Sequence, residues 1–114
     1  VTVLDDNLRA AIKFYLNNFF TKDYLPKYYH NSQNPLDAQN IAQALQTLYF
    51  INKLKLIESD FIENVFKKVD QVFWNEKGYY NFKKSQFLFY KEPMHRWATG
   101  PMFLSLNYLK KITL

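Results

Sequence analysis

Apolar side chains recur at intervals of three and four residues along much of the chain, which is the period of an α-helix with one buried face. In one such run, Ile41, Leu45 and Leu48 keep this spacing. The same period predicts four helices, at about residues 5–20, 37–56, 60–74 and 96–112. The chain is therefore predicted to be mainly α.

Side chains that accept hydrogen bonds mark where two of these helices begin. Asp37 or Asn34 is placed to accept the free N–H groups in the first turn of the second helix. Ser59 or Asp60 is placed to cap the third helix, and Glu63 lies three residues beyond Asp60. That spacing is typical of a capping box.

The hydrophobic period changes between the third and fourth helices. Lys77 and Gly78 indicate a turn, and the aromatic residues 79–82 and 86–90 follow it. We expect a small β-hairpin here, before the last helix. Tyr79 and Tyr80 should then point to opposite sides of a strand, so at most one of them faces any one cavity.

Small residues lie near the starts of the second and fourth helices. Because small side chains let helices approach closely, these two helices are predicted to lie on the inner side of the fold. Gly100 and Pro101 are also predicted to weaken or kink the fourth helix near its start. The small residues are Ala38, Ala42, Ala44, Ala98, Gly100 and Ser105.

Composition narrows the class of protein. The 114 residues fit a single helical domain, residues 1–114, and 48% hydrophobic with 22% charged residues is typical of a globular chain. The absence of Cys excludes disulfides and thiolate metal sites, and the two His are far apart, so neither metal nor cofactor is expected. The chain begins with Val, and we expect it to be an excised piece of a longer protein.

Charge and hydropathy exclude two classes of partner. The net charge is +5, but the lysines are spread singly or in pairs, so we expect solubilising outer faces and no nucleic-acid partner. No apolar run reaches the roughly 18 residues of a membrane span, so no membrane partner is expected. No signal peptide opens the chain, and the expected location is cytoplasmic.

Three short motifs resemble those of a known group of proteins. They are NPLDAQ at residues 34–39, which follows Tyr29 and His30, GYYNF at 78–82, and HRWATGPM at 95–102. Together they resemble the closing part of six-hairpin (α/α) toroids, and more narrowly a bacterial, glycosidase-like group of uncharacterised toroid proteins found with polysaccharide genes. The resemblance covers about residues 10–110. It implies that the chain is a C-terminal portion with about two of six helical hairpins.

Some members of this group carry the label delta-aminolevulinic acid dehydratase. The sequence does not support that chemistry, because it has no alternating βα pattern, no Cys cluster for zinc and no recognisable Schiff-base lysine context. The toroid resemblance instead implies a cavity for carbohydrate, lined by the loops before the inner helices. The implied substrate-binding residues are Tyr29, His30, Asp37, Gln39, Tyr79 or Tyr80, Arg96 and Trp97, and the candidate catalytic residues are Asp37 and His30.

Each candidate also has a structural alternative. Asp37 is a helix cap or a catalytic acid, and His30 is an exposed structural histidine or a general base. Arg96 and Trp97 either hold a carboxylate or sugar ring, or support the helix through a cation–π contact or salt bridge. Glycoside cleavage needs two carboxyl groups about 5–10 Å apart, and the sequence assigns no such pair.

Two functions from different classes follow from these observations. The first is carbohydrate binding or processing by a portion of a toroid that is inactive alone. The alternative is a helical protein-interaction or scaffold module without catalysis. In that case an exposed apolar surface would meet the remainder of a parent chain or a second copy. Whether the protein is an enzyme is left open.

Overall fold

The computed structural model describes residues 2–85, 87–91, 94, 98 and 100–113. Within them the chain forms four α-helices and five short strands, so the predicted mainly α class is confirmed. In chain order the elements are α1 (Thr2–Asn18), β1 (Leu36–Asp37), α2 (Ala38–Lys53), α3 (Ser59–Phe73), β2 (Trp74–Asn75), β3 (Tyr79–Tyr80), β4 (Lys83–Lys84), β5 (Phe89–Tyr90) and α4 (Gly100–Thr113).

Helix α2 lies at the centre and packs against both α3 and α4. Its Ile41, Leu45 and Leu48 are completely buried, at the spacing that the hydrophobic period predicts. Burying a side chain of this size contributes about 1.5–3 kcal/mol relative to leaving it exposed. The side chains that complete this core from the neighbouring helices include Ile62, Val65, Val69, Phe73, Met102 and Leu109.

Small residues let α2 and α4 approach closely. The Ser105 hydroxyl lies 2.7 Å from the Ala42 carbonyl oxygen, to which it donates, and accepts a 3.2 Å hydrogen bond from the Gln46 amide. Further along both helices, the rings of Tyr49 and Tyr108 have centroids 5.0 Å apart. A contact later in α2 is therefore also a contact later in α4. The two helices are parallel, and both begin at the same end of the pair.

The second helix ends earlier than predicted, in a Schellman motif. The Leu56 N–H donates to the Ile51 carbonyl (3.3 Å), and the Lys55 N–H donates to that of Asn52 (2.8 Å). Lys55 has the left-handed φ of 61° that this motif requires at its turning residue. Because the connection through residues 54–58 is short, α3 returns antiparallel to α2.

The start of α3 differs from the prediction. Ser59 is already helical, and Glu58 occupies the cap position without a side-chain hydrogen bond to the helix. The predicted cap by Ser59 or Asp60, with its capping box, is therefore wrong. Among the described residues α4 begins at Gly100, and Pro101 lies in its first turn. An N–H group in the first turn has no acceptor within the helix, so a proline, which has no N–H, is tolerated there. The predicted start of the fourth helix near Arg96 lies outside the described residues, and the predicted kink stays a prediction.

Helix α1 is the most exposed of the described helices. It begins at Thr2, earlier than predicted. Tyr15 and Leu16 pack partly against the core, whereas Leu8 and Phe14 are exposed. None of the helices in the described part of the chain combines the length and apolarity needed to cross a membrane.

Five two-residue strands form two small antiparallel sheets. In one, β4 lies between β1 and β5, with Lys84 opposite both Leu36 and Phe89. The other is a β2–β3 hairpin, whose turn contains Gly78 at the left-handed φ of 107°. A β-hairpin before the last helix is present as predicted, but its first strand is β4 at Lys83–Lys84 rather than in the predicted segment 79–82. Strand β1 was not predicted, because two residues are too few to show an alternating pattern.

The two tyrosines of β3 have different partners, as strand alternation predicts. The Tyr80 side chain is buried, and its hydroxyl donates to a carboxylate oxygen of Asp70 over 3.1 Å. The Tyr79 hydroxyl instead donates to the Lys91 carbonyl oxygen (2.8 Å). Burial, followed by the charge and the hydrogen bond of Asp70, raises the pKa of Tyr80.

Alkaline pH should destabilise the fold through its half-buried and buried tyrosines. Burial raises the pKa of Tyr15 from 10.0 to about 12, and the pKa of Tyr80 is raised in the same direction. Above pH 10 the unfolded chain loses these phenolic protons first, so the stability present at lower pH is lost as pH rises through the folded pKa values. The slope should approach about 1.4 kcal/mol per pH unit for each such tyrosine.

Urea unfolding at a series of pH values around and above 10 measures this slope. Tyr15→Phe and Tyr80→Phe should each reduce it, while Tyr29→Phe, at an exposed position, should not. An unchanged slope in both buried-site variants would contradict the prediction.

Candidate functional site

A shallow polar depression lies at the start of α2. It encloses about 370 Å³ and is lined by one phenol, one carboxylate and three amide side chains. The hydrogen bond from the Ala38 N–H to the Phe82 carbonyl (2.9 Å) fixes this end of α2 beside the segment between β3 and β4. The lining residues are Tyr28, Asp37, Gln39, Asn40 and Gln43.

Asp37 is the N-cap of α2. One of its carboxylate oxygens, Oδ1, accepts hydrogen bonds from the N–H groups of Gln39 (2.8 Å) and Asn40 (3.1 Å). The backbone of Asp37 is extended, as an N-cap requires. The Asn40 side-chain amide also donates to the Lys27 carbonyl (3.1 Å), which fastens the preceding loop to the helix. The predicted capping role is confirmed, and a catalytic role for Asp37 stays a prediction.

Of the aromatic residues in the preceding loop, Tyr28 reaches the depression. Its ring meets that of Tyr29 edge-on, with centroids 4.8 Å apart, and both rings are exposed. The His30 ring instead lies 6.3 Å from the Phe14 ring and 6.2 Å from the Phe19 ring, against the end of α1. His30 does not line the depression, so the fold does not pair it with Asp37 there.

The remaining predicted site residues divide into two cases. Tyr79 does not line the depression, and its hydroxyl is bonded to the Lys91 carbonyl and to the Asn75 amide (3.3 Å). Arg96 and Trp97 lie outside the described residues. The fold therefore brings together Asp37 and Gln39 from the predicted set.

Three residues of the depression were not predicted. Tyr28 and Asn40 adjoin predicted residues in the sequence, and Gln43 follows Gln39 by four positions. Residues four apart share one face of a helix. The Gln39 and Gln43 pair at the exposed start of a buried helix was the sequence signal for this surface.

Two grooves elsewhere are mainly apolar. One of about 480 Å³ lies between α3 and α4, and one of about 370 Å³ lies between α1 and α2. The first is lined by Ile62, Glu63, Phe66, Lys67, Leu106, Leu109 and Lys110. The second is lined by Leu8, Ala11, Ile12, Tyr15, Thr47, Phe50, Ile51 and Leu54.

No cluster of three metal-ligating side chains occurs among the described residues. Comparisons with protein-family models, curated proteins and solved structures find no match to the chain. The function is therefore inferred from the chemistry of the chain's own surfaces.

Proposed function

We propose that the depression at the start of α2 binds a saccharide, in the setting of the toroid that the sequence motifs resemble. The observation that carries this proposal is the composition of the lining: a tyrosine ring beside one carboxylate and three amides. Sugar hydroxyls both donate and accept hydrogen bonds, and amide side chains offer both functions in one planar group. An aromatic face packs against the apolar side of a sugar ring.

The helix directions also support this proposal. In a ring of helical hairpins, successive inner helices are parallel, so their starting ends lie on one face. The contacts of Ser105 with Ala42 and of Tyr108 with Tyr49 make α2 and α4 parallel, and the depression lies at their starting end. The toroid proposal then requires Arg96 and Trp97, which precede Gly100 in the sequence, to contribute to the same site.

The lining favours binding over cleavage. Asp37 supplies the one carboxylate among the described lining residues, and its Oδ1 already accepts two backbone hydrogen bonds. Glycoside hydrolysis requires a second carboxyl group at a set separation. We therefore assign the depression a binding role in a cytoplasmic protein, and its ligand is a neutral saccharide or an amino sugar that Asp37 would attract.

A glycan array, followed by calorimetry with an oligosaccharide that binds, tests this function. Tyr28→Ala should weaken binding about tenfold, because it removes the aromatic face. Gln43→Ala should weaken it by a factor of about 2–10, the value of one hydrogen bond. Neither variant touches the Asp37 cap, so the helix stays intact.

Gln71→Ala is the matched control, because Gln71 is an exposed glutamine on a different helix, α3. It should bind like the unaltered chain. Arg96→Ala and Trp97→Ala should lose binding with the fold retained, as the toroid proposal requires. Equal binding by the Tyr28, Gln43 and Gln71 variants would rule out the depression as the site.

The second candidate function, a helical interaction module, rests on the apolar groove between α1 and α2. Leu8, Phe50 and Leu54 are exposed there, and the groove lining carries no charged side chain. A second copy of the chain can meet this groove with the same face without burying unpaired charge. Because each copy carries a charge of +5, self-association should strengthen as salt screens the repulsion.

Sedimentation equilibrium at low and high salt tests this alternative. Leu8→Ser should abolish the association and leave saccharide binding unchanged. A chain that stays monomeric at all salt concentrations would exclude the self-association, without bearing on the saccharide site.

A further inference from the structure

The β4–β5 hairpin presents two apolar side chains to solvent. Phe87 is 87% exposed and Leu88 is 58% exposed, and we call these two residues the hairpin tip. Among the large apolar side chains that the structure describes, Phe87 is the most exposed. Isolated apolar residues are common on protein surfaces. An aromatic ring exposed to this extent at the end of a hairpin, next to a second apolar residue, is a more specific arrangement.

The hairpin tip is held in place rather than left loose. The Ser85 N–H donates to the Leu88 carbonyl (2.8 Å), and the Leu88 N–H donates to the Ser85 hydroxyl (3.2 Å). At the base of the hairpin, the Phe89 ring packs edge-on against the buried Phe73 ring, with centroids 5.7 Å apart. The tip is thus an apolar projection anchored in the core at the end of α3.

Cationic side chains lie beside the same hairpin. The ammonium nitrogens of Lys84 and Lys91 lie 5.9 Å and 5.8 Å from the centroid of the Phe89 ring. Because Lys83 is opposite the acidic Asp37 in the sheet, we assign the local positive charge to Lys84 and Lys91. Tyr90 is exposed next to them. A tyrosine ring is suited to the boundary between apolar and aqueous phases.

The size of this surface decides between two kinds of partner. A stable protein interface buries about 800 Å² on each side, far more than two side chains provide. Insertion into the headgroup region of a bilayer requires only a few apolar groups with cations beside them. We propose that the hairpin tip inserts into the surface of an anionic lipid bilayer, with Lys84 and Lys91 against the lipid headgroups.

This proposal revises one expectation from the sequence. The chain lacks an apolar run long enough to span a bilayer, and for that reason no membrane partner was expected. A spanning segment is not needed for surface attachment, which combines shallow apolar insertion with attraction to anionic lipid. The inner surface of the cytoplasmic membrane carries the required negative charge.

Co-sedimentation of the whole chain with vesicles tests the proposal. Vesicles of phosphatidylcholine with phosphatidylserine should bind the chain, and binding should fall as salt rises. Pure phosphatidylcholine vesicles should bind it much less. The double variant Phe87→Ser with Leu88→Ser should lose more than about tenfold in partitioning. Lys84→Gln and Lys91→Gln should each cost about fivefold.

The matched control is Phe103→Ser with Leu104→Ser, which removes an equivalent pair of exposed apolar residues from α4. This control should partition like the unaltered chain. The proposal is overturned if anionic vesicles do not bind the chain, or if the two double variants lose binding equally. Loss of partitioning in the lysine variants alone would identify a purely electrostatic contact and would also overturn insertion. Saccharide binding should be unchanged in all of these variants, so the two proposals fail independently.

Discussion

Phe73→Ala should lower the free energy of unfolding by about 3–5 kcal/mol, a large part of the stability of a chain of this size. Phe73 is the bulkiest of the fully buried side chains that the structure describes. It ends α3 inside the core, and its ring packs against that of Phe89 from the β4–β5 hairpin. Truncation would leave a cavity that these two rigid elements cannot close without moving.

Urea unfolding and thermal melting measure this loss, and at about 4 °C per kcal/mol the melting temperature should fall by more than about 12 °C. Phe50→Ala is the matched control. Phe50 is 54% exposed on α2, so this substitution removes the same atoms from the surface instead of the core. Its cost should stay near 1 kcal/mol, from contacts with the rings of Tyr49 and Tyr108. Similar losses in the two variants would contradict the packing around Phe73.

Amide hydrogen exchange offers a second test of the same substitution. The Phe82 N–H donates to the Tyr90 carbonyl (3.0 Å) within the region that Phe89 anchors. Phe73→Ala should speed exchange at Phe82 by nearly as much as the change in global stability requires, because opening of the hairpin breaks its contact with Phe73. Exchange that accelerates much less than the global change would show that the hairpin opens without depending on Phe73.

The central helices were predictable because their burial repeats along the chain. One buried face of α2 extends over several turns and carries Ile41, Leu45 and Leu48. The contacts with neighbouring helices bury this same face. Strand pairing between distant two-residue segments leaves no such repeat, so β1 was not predicted. The error at the start of α3 has a local cause. Asp60 and Glu63 have the spacing of a capping box, but the helix begins at Ser59, two residues before a cap at Asp60 would allow.

The candidate site was predictable only where a local rule applied. The sequence predicts Asp37 or Asn34 as the cap of α2, and the structure shows that it is Asp37. Gln39 was assigned with it, whereas Gln43 was not, because exposed polar residues on a helix are usually solvent contacts. The distance between His30 and Asp37 depends on how the loop folds against α1. The spacing of apolar residues along the sequence does not predict that folding. The toroid and the saccharide therefore stay predictions that binding measurements must test.

Ser105→Leu should cost about 3 kcal/mol or more, because it forces a larger side chain between two helices that have no space for it. Ser105 is fully buried, and its hydroxyl lies 2.7 Å from the Ala42 carbonyl oxygen on α2. The neighbouring Met102 and Ala42 are also buried, so the extra methyl groups have no route to solvent. The substitution also removes the acceptor of the Gln46 amide hydrogen bond (3.2 Å).

Two comparisons isolate the steric part of this cost. Ser105→Ala removes the same hydroxyl without adding volume, so it should cost only about 1 kcal/mol. Asn107→Leu places the same leucine on the exposed face of α4 and should be nearly neutral. The difference between the leucine and alanine variants at Ser105, measured by urea unfolding, is then the overpacking energy. If the two variants cost the same, α2 and α4 are not in close contact at Ser105. The parallel helix pair would then lose its main support, and with it the argument that places the depression at a shared end of two inner helices.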